Sequence, residues 1–304
     1  DELVEADPHA VACDEVLIAL RRQRERLAAI EARLTAAFDA EQGWSVGDAR
    51  NMVAWLKACC RLSKHEAEQQ VRLGRALRHM PHVEAAWLAG EIGTAQVVSL
   101  NRCRQPSVSE QFARDEQRLV QHAKHKSHRA LQRHLCYWRQ RNMPDEEERG
   151  AKAQRDDRRV HLSQSFENTW FLDGVLDPVS GSIVHDELQR LEKELFQAEW
   201  AAARERLGRE PTVNDLARTP AQRRADALVE MAKRSATAPA DGRPPRPLFT
   251  VLVGYETFAG PICELANGTV ITPGSLVPWL TEADIERIAF GPKSRIVDVG
   301  RRTR

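Results

Sequence analysis

Between residues 16 and 38 the apolar positions Val16, Leu20, Leu27, Ile30, Leu34 and Phe38 recur at steps of three, four and seven residues. That period belongs to one long amphipathic helix with a narrow apolar seam. The run Arg21-Arg22-Gln23-Arg24-Glu25-Arg26 then reads as a solvated outer face, and the seam as a candidate homodimer contact. After a Gly43-Trp-Ser-Val-Gly turn, two helices are expected over 49–61 and 64–77. Ser63 is placed to cap the second, and Glu66 three residues later completes a capping box. Pro81 closes that pair. Another pair, 83–89 and 94–101, is joined through Gly90-Glu-Ile-Gly93. Helix, short turn, helix is the shape of helix-turn-helix units that enter DNA, and equally of an antiparallel bundle.

From 142 to 157 the text, NMPDEEERGAKAQRDD, is charged and almost free of apolar residues. It reads as a boundary, dividing the chain into a helical domain 1–143, a charged linker 144–157 and a second domain 158–304. There the period changes. Alternation at 159–163 and a buried-strand pattern at 169–176 suggest a hairpin. Asp177-Pro178 opens a long helix to about 207, and Thr219-Pro220 another to about 235, each with a cap followed by proline in the first turn. A proline-rich spacer, 236–247, precedes a strand at 248–253. A hairpin over 263–272 follows, turning at Asn267-Gly268, then a short helix at 274–282 and strands at 284–290 and 295–299. The expected class is α+β: a helical bundle with helix-turn-helix-like pairs, then a mixed domain with hairpins and two long helices.

Composition narrows the partners. The chain is 42% hydrophobic and 29% charged, enough for a sizeable core, and its 45 basic and 44 acidic side chains leave a net charge of +1. A uniform basic coat is excluded, so any polyanion site is a local patch. Six scattered cysteines form no C-x-x-C pair and read as reduced thiols. Asn267-Gly268-Thr269 fits a glycosylation acceptor, but the acidic start has no signal-peptide core and no apolar run reaches the ~18 residues of a membrane span. The expectation is a cytoplasmic, soluble protein.

One stretch concentrates charge. Residues 117–144 contain no Asp or Glu, but carry Arg118, Lys124, Lys126, Arg129, Arg133, Arg139 and Arg141, four histidines and the aromatics Tyr137 and Trp138. Ser127 is placed to cap a helix from His128, which sets Arg129 and Arg133 along one flank. A cationic flank with an aromatic at its end suits phosphate contacts, and Arg72, Arg75 and Arg78 at helical spacing extend it. Leu131, Leu135 and Trp138 fit an ordinary core stripe as well. His122, His125 and His128 do not make a metal shell: their steps rotate around a helix, and no Cys or carboxylate completes the set. No nucleophile elbow, phosphate loop or paired-glycine fingerprint is present. A minor alternative is an unfamiliar site around Asp173, Asp177 and His185.

Four blocks carry a resemblance: WLKACCRLSKHEAEQQVRLGRALRHMPHVEAAWLAGEIGTAQV, GVLDPVSGSIV, RRADALVEMA and SRIVDVGRRTR. In this order they resemble the N-terminal region of the actinobacterial 13E12-repeat HNH endonucleases, a region catalogued as domain of unknown function 222. The resemblance covers essentially the whole chain. It implies that the segment matching VDVGRRTR leads into an HNH nuclease module, where a metal-bound, histidine-activated water attacks DNA phosphate. None of that module's catalytic or metal-binding residues has a counterpart here, so the basic tail reads as a severed linker. The expectations are a non-catalytic region, inactive alone, without a cofactor of its own, that binds or positions DNA. Any divalent metal would belong to the HNH module. The rival expectation is an interaction or dimerisation scaffold that does not bind DNA.

Overall fold

The computed structural model describes residues 6–47, 49–237, 248–253, 263–279, 284–290 and 296–299. The chain divides into two units, Asp1–Met143 and Pro144–Arg304. It is mostly helical, with two small sheets.

Among the described residues of the first unit, a single helical turn, Pro8–Val11, is followed by seven α-helices: α1 (Asp14–Ala40), α2 (Met52–Cys59), α3 (Lys64–Leu77), α4 (Pro81–Leu88), α5 (Thr94–Cys103), α6 (Ser109–His125) and α7 (His128–Asn142). Local sequence chemistry sets their starts. Asn51 caps α2 by accepting from Ala54 N, and Ser63 and Glu66 form the reciprocal capping box of α3 at 3.2 and 3.0 Å. Pro81 fills the first turn of α4, where its missing N–H costs nothing.

The core of this unit runs through Leu73, Leu77, Met80, Val83, Trp87, Val97, Leu100, Phe112, Leu119, Leu131 and Leu135. A second cluster, Met52, Leu56, Ala67 and Val71, joins α2 to α3.

The long helix forms as its period predicts, but it turns the opposite face inward. Its buried positions are Glu25, Ala29, Ala32 and Thr35, while Leu20, Leu27, Ile30 and Leu34 are exposed. Contact distance is the physical reason. α3 approaches so closely that a Cβ on Gly74 would lie 2.7 Å from the Ala32 carbonyl oxygen and 3.3 Å from the Ala36 Cβ. Only a small-residue face admits that crossing. Glu25, expected in water, is therefore inside.

In the second unit, residues 144–156 are helical (α8, Pro144–Asp156) where a linker was expected. The helix buries no residue. Pro144 at its start, Asp145, Glu146 and Glu147 in the first turn and Arg155 in the last all match the helix dipole, which accounts for a helix without an apolar face. β1 (Arg159–Gln164) and β2 (Trp170–Val175) pair antiparallel, Arg159 opposite Val175 and Gln164 opposite Trp170. All twelve strand residues are exposed.

α9 (Pro178–Leu207), capped by Asp177, packs on α10 (Pro220–Thr237). Glu199 ties the pair together through Arg223 at 3.1 Å and Arg218 at 3.6 Å.

A five-stranded sheet has the order β5-β4-β3-β6-β7, with β3 Leu248–Val253, β4 Cys263–Leu265, β5 Val270–Ile271, β6 Asp284–Phe290 and β7 Ile296–Val299. β3 and β6 run parallel and the other neighbours antiparallel. The Asn267-Gly268 turn is present, Gly268 taking a φ of 84° that a side chain disfavours. Two 3-10 turns, Pro273–Ser275 and Val277–Trp279, replace the expected helix, since Pro278 cannot donate within one. Val179 and Ile183 from α9 pack on Val251, Leu265 and Ile271. Most of the proline-rich spacer and the basic tail 300–304 lie outside the described residues.

Candidate nucleic-acid interface

The basic stretch folds as the end of α6, a two-residue turn and all of α7. Ser127 Oγ accepts from Ala130 N at 3.3 Å and so starts α7 where its position predicts. Leu131, Leu135 and Trp138 then point into the core. With those three inside, helical periodicity carries Arg129 and Arg133 to the solvent side; Arg141 is exposed and Arg139 half-buried.

Trp138, expected as an aromatic at the end of the cationic flank, is buried in the bundle. Its ring is 4% exposed, meets Phe112 edge-on at 5.9 Å, and its Nε1 donates to Asp115 Oδ2 at 2.8 Å. Aromatic area and a hydrogen bond are both used within the bundle, so the core-stripe alternative holds for this residue.

The cations also divide. Lys124 is paired with Glu91 at 2.6 Å, and Arg118 lies 3.4 Å from Asp115. Lys126 and Arg129 are exposed and enter no ion pair among the described residues. The second arginine set is on α3, which packs chiefly on α1 and α2, whereas α7 packs on α5 and α6. In that set Arg75 donates to Asp39 at 2.7 Å and Arg78 to the Arg75 carbonyl at 3.0 Å, which leaves Arg72 exposed and outside any ion pair among the described residues.

Between α6 and α7 the structure forms a contact that the sequence reading missed. The rings of His122 and His134 meet at a tilt of 33° with centroids 3.8 Å apart. His134 immediately precedes Leu135 and follows Leu131 by three, which places it beside the inward stripe; that position was the available signal. Burial, with the charges of His122, Arg118 and Lys126, holds the His134 imidazole down at about 4. Burial and the charges of Arg118 and Lys126 lower His122 as well. Two neutral imidazoles thus fill the seam under a positive field. His128 lies apart from them, its Nε2 3.2 Å from Ser99 Oγ on α5. Among the described residues no three His, Cys, Asp or Glu side chains converge as a metal shell.

Of the carboxylates around 173–177, Asp177 caps α9. Asp177 Oδ1 accepts from Val179 N and Ser180 N at 3.1 and 3.2 Å, with Arg158 at 3.4 Å. Burial raises its pKa, but these partners outweigh burial and hold it below the usual range. Asp173 is exposed on β2 opposite His161, and His185 is exposed beside Asp186.

A family model described as domain of unknown function (DUF222) matches residues 14–301. No curated protein and no solved structure matches the chain. Since the matched residues span nearly its whole length, the chain belongs to the DUF222 family.

Proposed function

We propose that the helical unit holds DNA by its phosphates along α7 and the α6–α7 turn, through Lys126, Arg129, Arg133, Arg139 and Arg141. The observation that carries this reading is that Lys126 on the α6–α7 turn and Arg129 on α7 are exposed and enter no ion pair among the described residues. Residues 117–144 contain no Asp or Glu, and the carboxylates that offset this set, Asp115 beside Arg118 and Glu91 on Lys124, come from outside it. A positive field over an exposed helix flank is what a phosphate backbone requires. Lys126, Arg129 and Arg72, exposed and outside any ion pair among the described residues, contribute most, and Lys124 and Arg75, held by Glu91 and Asp39, contribute less. The resemblance to the N-terminal region of 13E12-repeat HNH endonucleases supplies the purpose, which is to hold the duplex for a nuclease module.

The test is duplex binding by fluorescence anisotropy across a salt series. Lys126→Ala, Arg129→Ala and Arg133→Ala together should weaken binding at least tenfold and reduce the salt slope by roughly 2 to 3. The His122 titration, followed by NMR, should move upward when DNA is added. Unchanged affinity and slope in the triple variant would end the proposal.

A further inference from the structure

The side of α1 that faces away from its own unit carries Leu20, Leu27 and Leu34 at seven-residue steps, with Ile30 between the last two. Their exposures are 49, 65, 66 and 44%. Single exposed leucines are ordinary, but a stripe of four along roughly 20 Å of one helix is a contiguous apolar patch. Toward the C-terminal end it opens into a groove of about 680 Å³ shared with α2, where Phe38, Trp55 and Leu56 continue the apolar wall.

We infer that this face binds a second copy of the chain, with the two α1 helices running antiparallel about a two-fold axis. Three observations select that occupant. A leucine every seven residues keeps a straight seam only against another helix of the same repeat, and every copy presents one. Arg24 and Glu31 flank the stripe on one side, are exposed, and enter no ion pair among the described residues. When Leu27 lies beside Ile30 of an antiparallel second copy, Arg24 of each comes within reach of Glu31 of the other, so the pair is made twice. By the same symmetry Leu17 meets Phe38. The opposite flank, whose arginines would face their own kind, is turned away: Arg33 pairs with Glu84 at 2.9 Å and Arg26 donates to the Leu88 carbonyl at 3.3 Å. The contact is isologous, as a closed dimer requires.

The experiment is sedimentation equilibrium of the full 304-residue chain without DNA, up to about 100 µM. Wild type should be a dimer. Leu27→Glu with Leu34→Glu should give a monomer with an unchanged helical spectrum, since both side chains are already in water. Arg24→Glu alone should raise the dissociation constant about tenfold, and Arg24→Glu with Glu31→Arg should restore it. In a parallel pair Glu31 would face Arg26 instead, and the double exchange would fail to rescue. A monomeric wild type, a dimer indifferent to Leu27→Glu and Leu34→Glu, or a charge exchange that does not rescue each overturns the inference.

Discussion

Replacing Glu25 with alanine would take one acceptor from three donors at once. Glu25 Oε2 receives Thr94 N at 2.6 Å, Thr94 Oγ1 at 2.7 Å and the Trp87 indole at 3.3 Å, and so closes the open start of α5 from a different helix. Burial raises its pKa, but the bonds from Thr94 and Trp87 and the charge of Arg21 outweigh burial and hold it low, so it is ionised where it works. The expected loss is about 2–4 kcal/mol in urea denaturation, because Trp87 is left buried without a partner. Glu116 contrasts with it. It is 1% exposed and accepts from the backbone at the start of α4, the Val83 amide at 2.9 Å, and burial outweighs those bonds and pushes its pKa up. Glu116→Gln should be nearly neutral and Glu116→Ala should cost about 1–3 kcal/mol. Neither role was legible in the sequence. A glutamate inside a run of arginines has the signature of a solvated face, and only the tertiary crossing brings a helix N-terminus to it.

At the scale of elements, the α6–α7 pair predicts an acid limb in stability. An unfolded histidine titrates near 6.5 and His134 in the fold at about 4, so the folded state resists its protonation. Its contribution is present in full above pH 6.5 and is lost as pH falls toward 4, by at most roughly 3 kcal/mol. Thermal melts between pH 7 and 4 should show a falling midpoint, and His134→Leu should flatten that slope. Elements whose starts are written in two or three adjacent residues were legible in advance: Ser63 with Glu66, Ser127, Asp177-Pro178 and Asn267-Gly268 each act where the sequence places them. The facing of α1 was not. Hydrophobic period identifies a helix, but alanine and leucine stripes compete for the core, and backbone approach at Gly74 decides for alanine. The charged segment 144–156 likewise folds by dipole matching, which a search for apolar faces overlooks.

For the whole molecule, the candidate site was legible as charge but not as availability. The sequence offered Trp138 both to the flank and to the core stripe, and could not show that Lys124 and Arg75 are neutralised or that Lys126 and Arg129 remain in water. Packing decides each of these. The ribbon between residues 159 and 175 has a further consequence. Among the described residues its two strands bond only to each other, and Val160, Leu162, Trp170 and Leu172 share a face that is 54–62% exposed. An isolated two-stranded ribbon with so exposed a face is marginal in water. In heavy water the amides of β1 and β2 should therefore pick up deuterium orders of magnitude sooner than those around Leu191 or Trp87, and trypsin should nick first beside Arg158 and Arg159. Protection there equal to that of the buried helices would mean that something covers the ribbon.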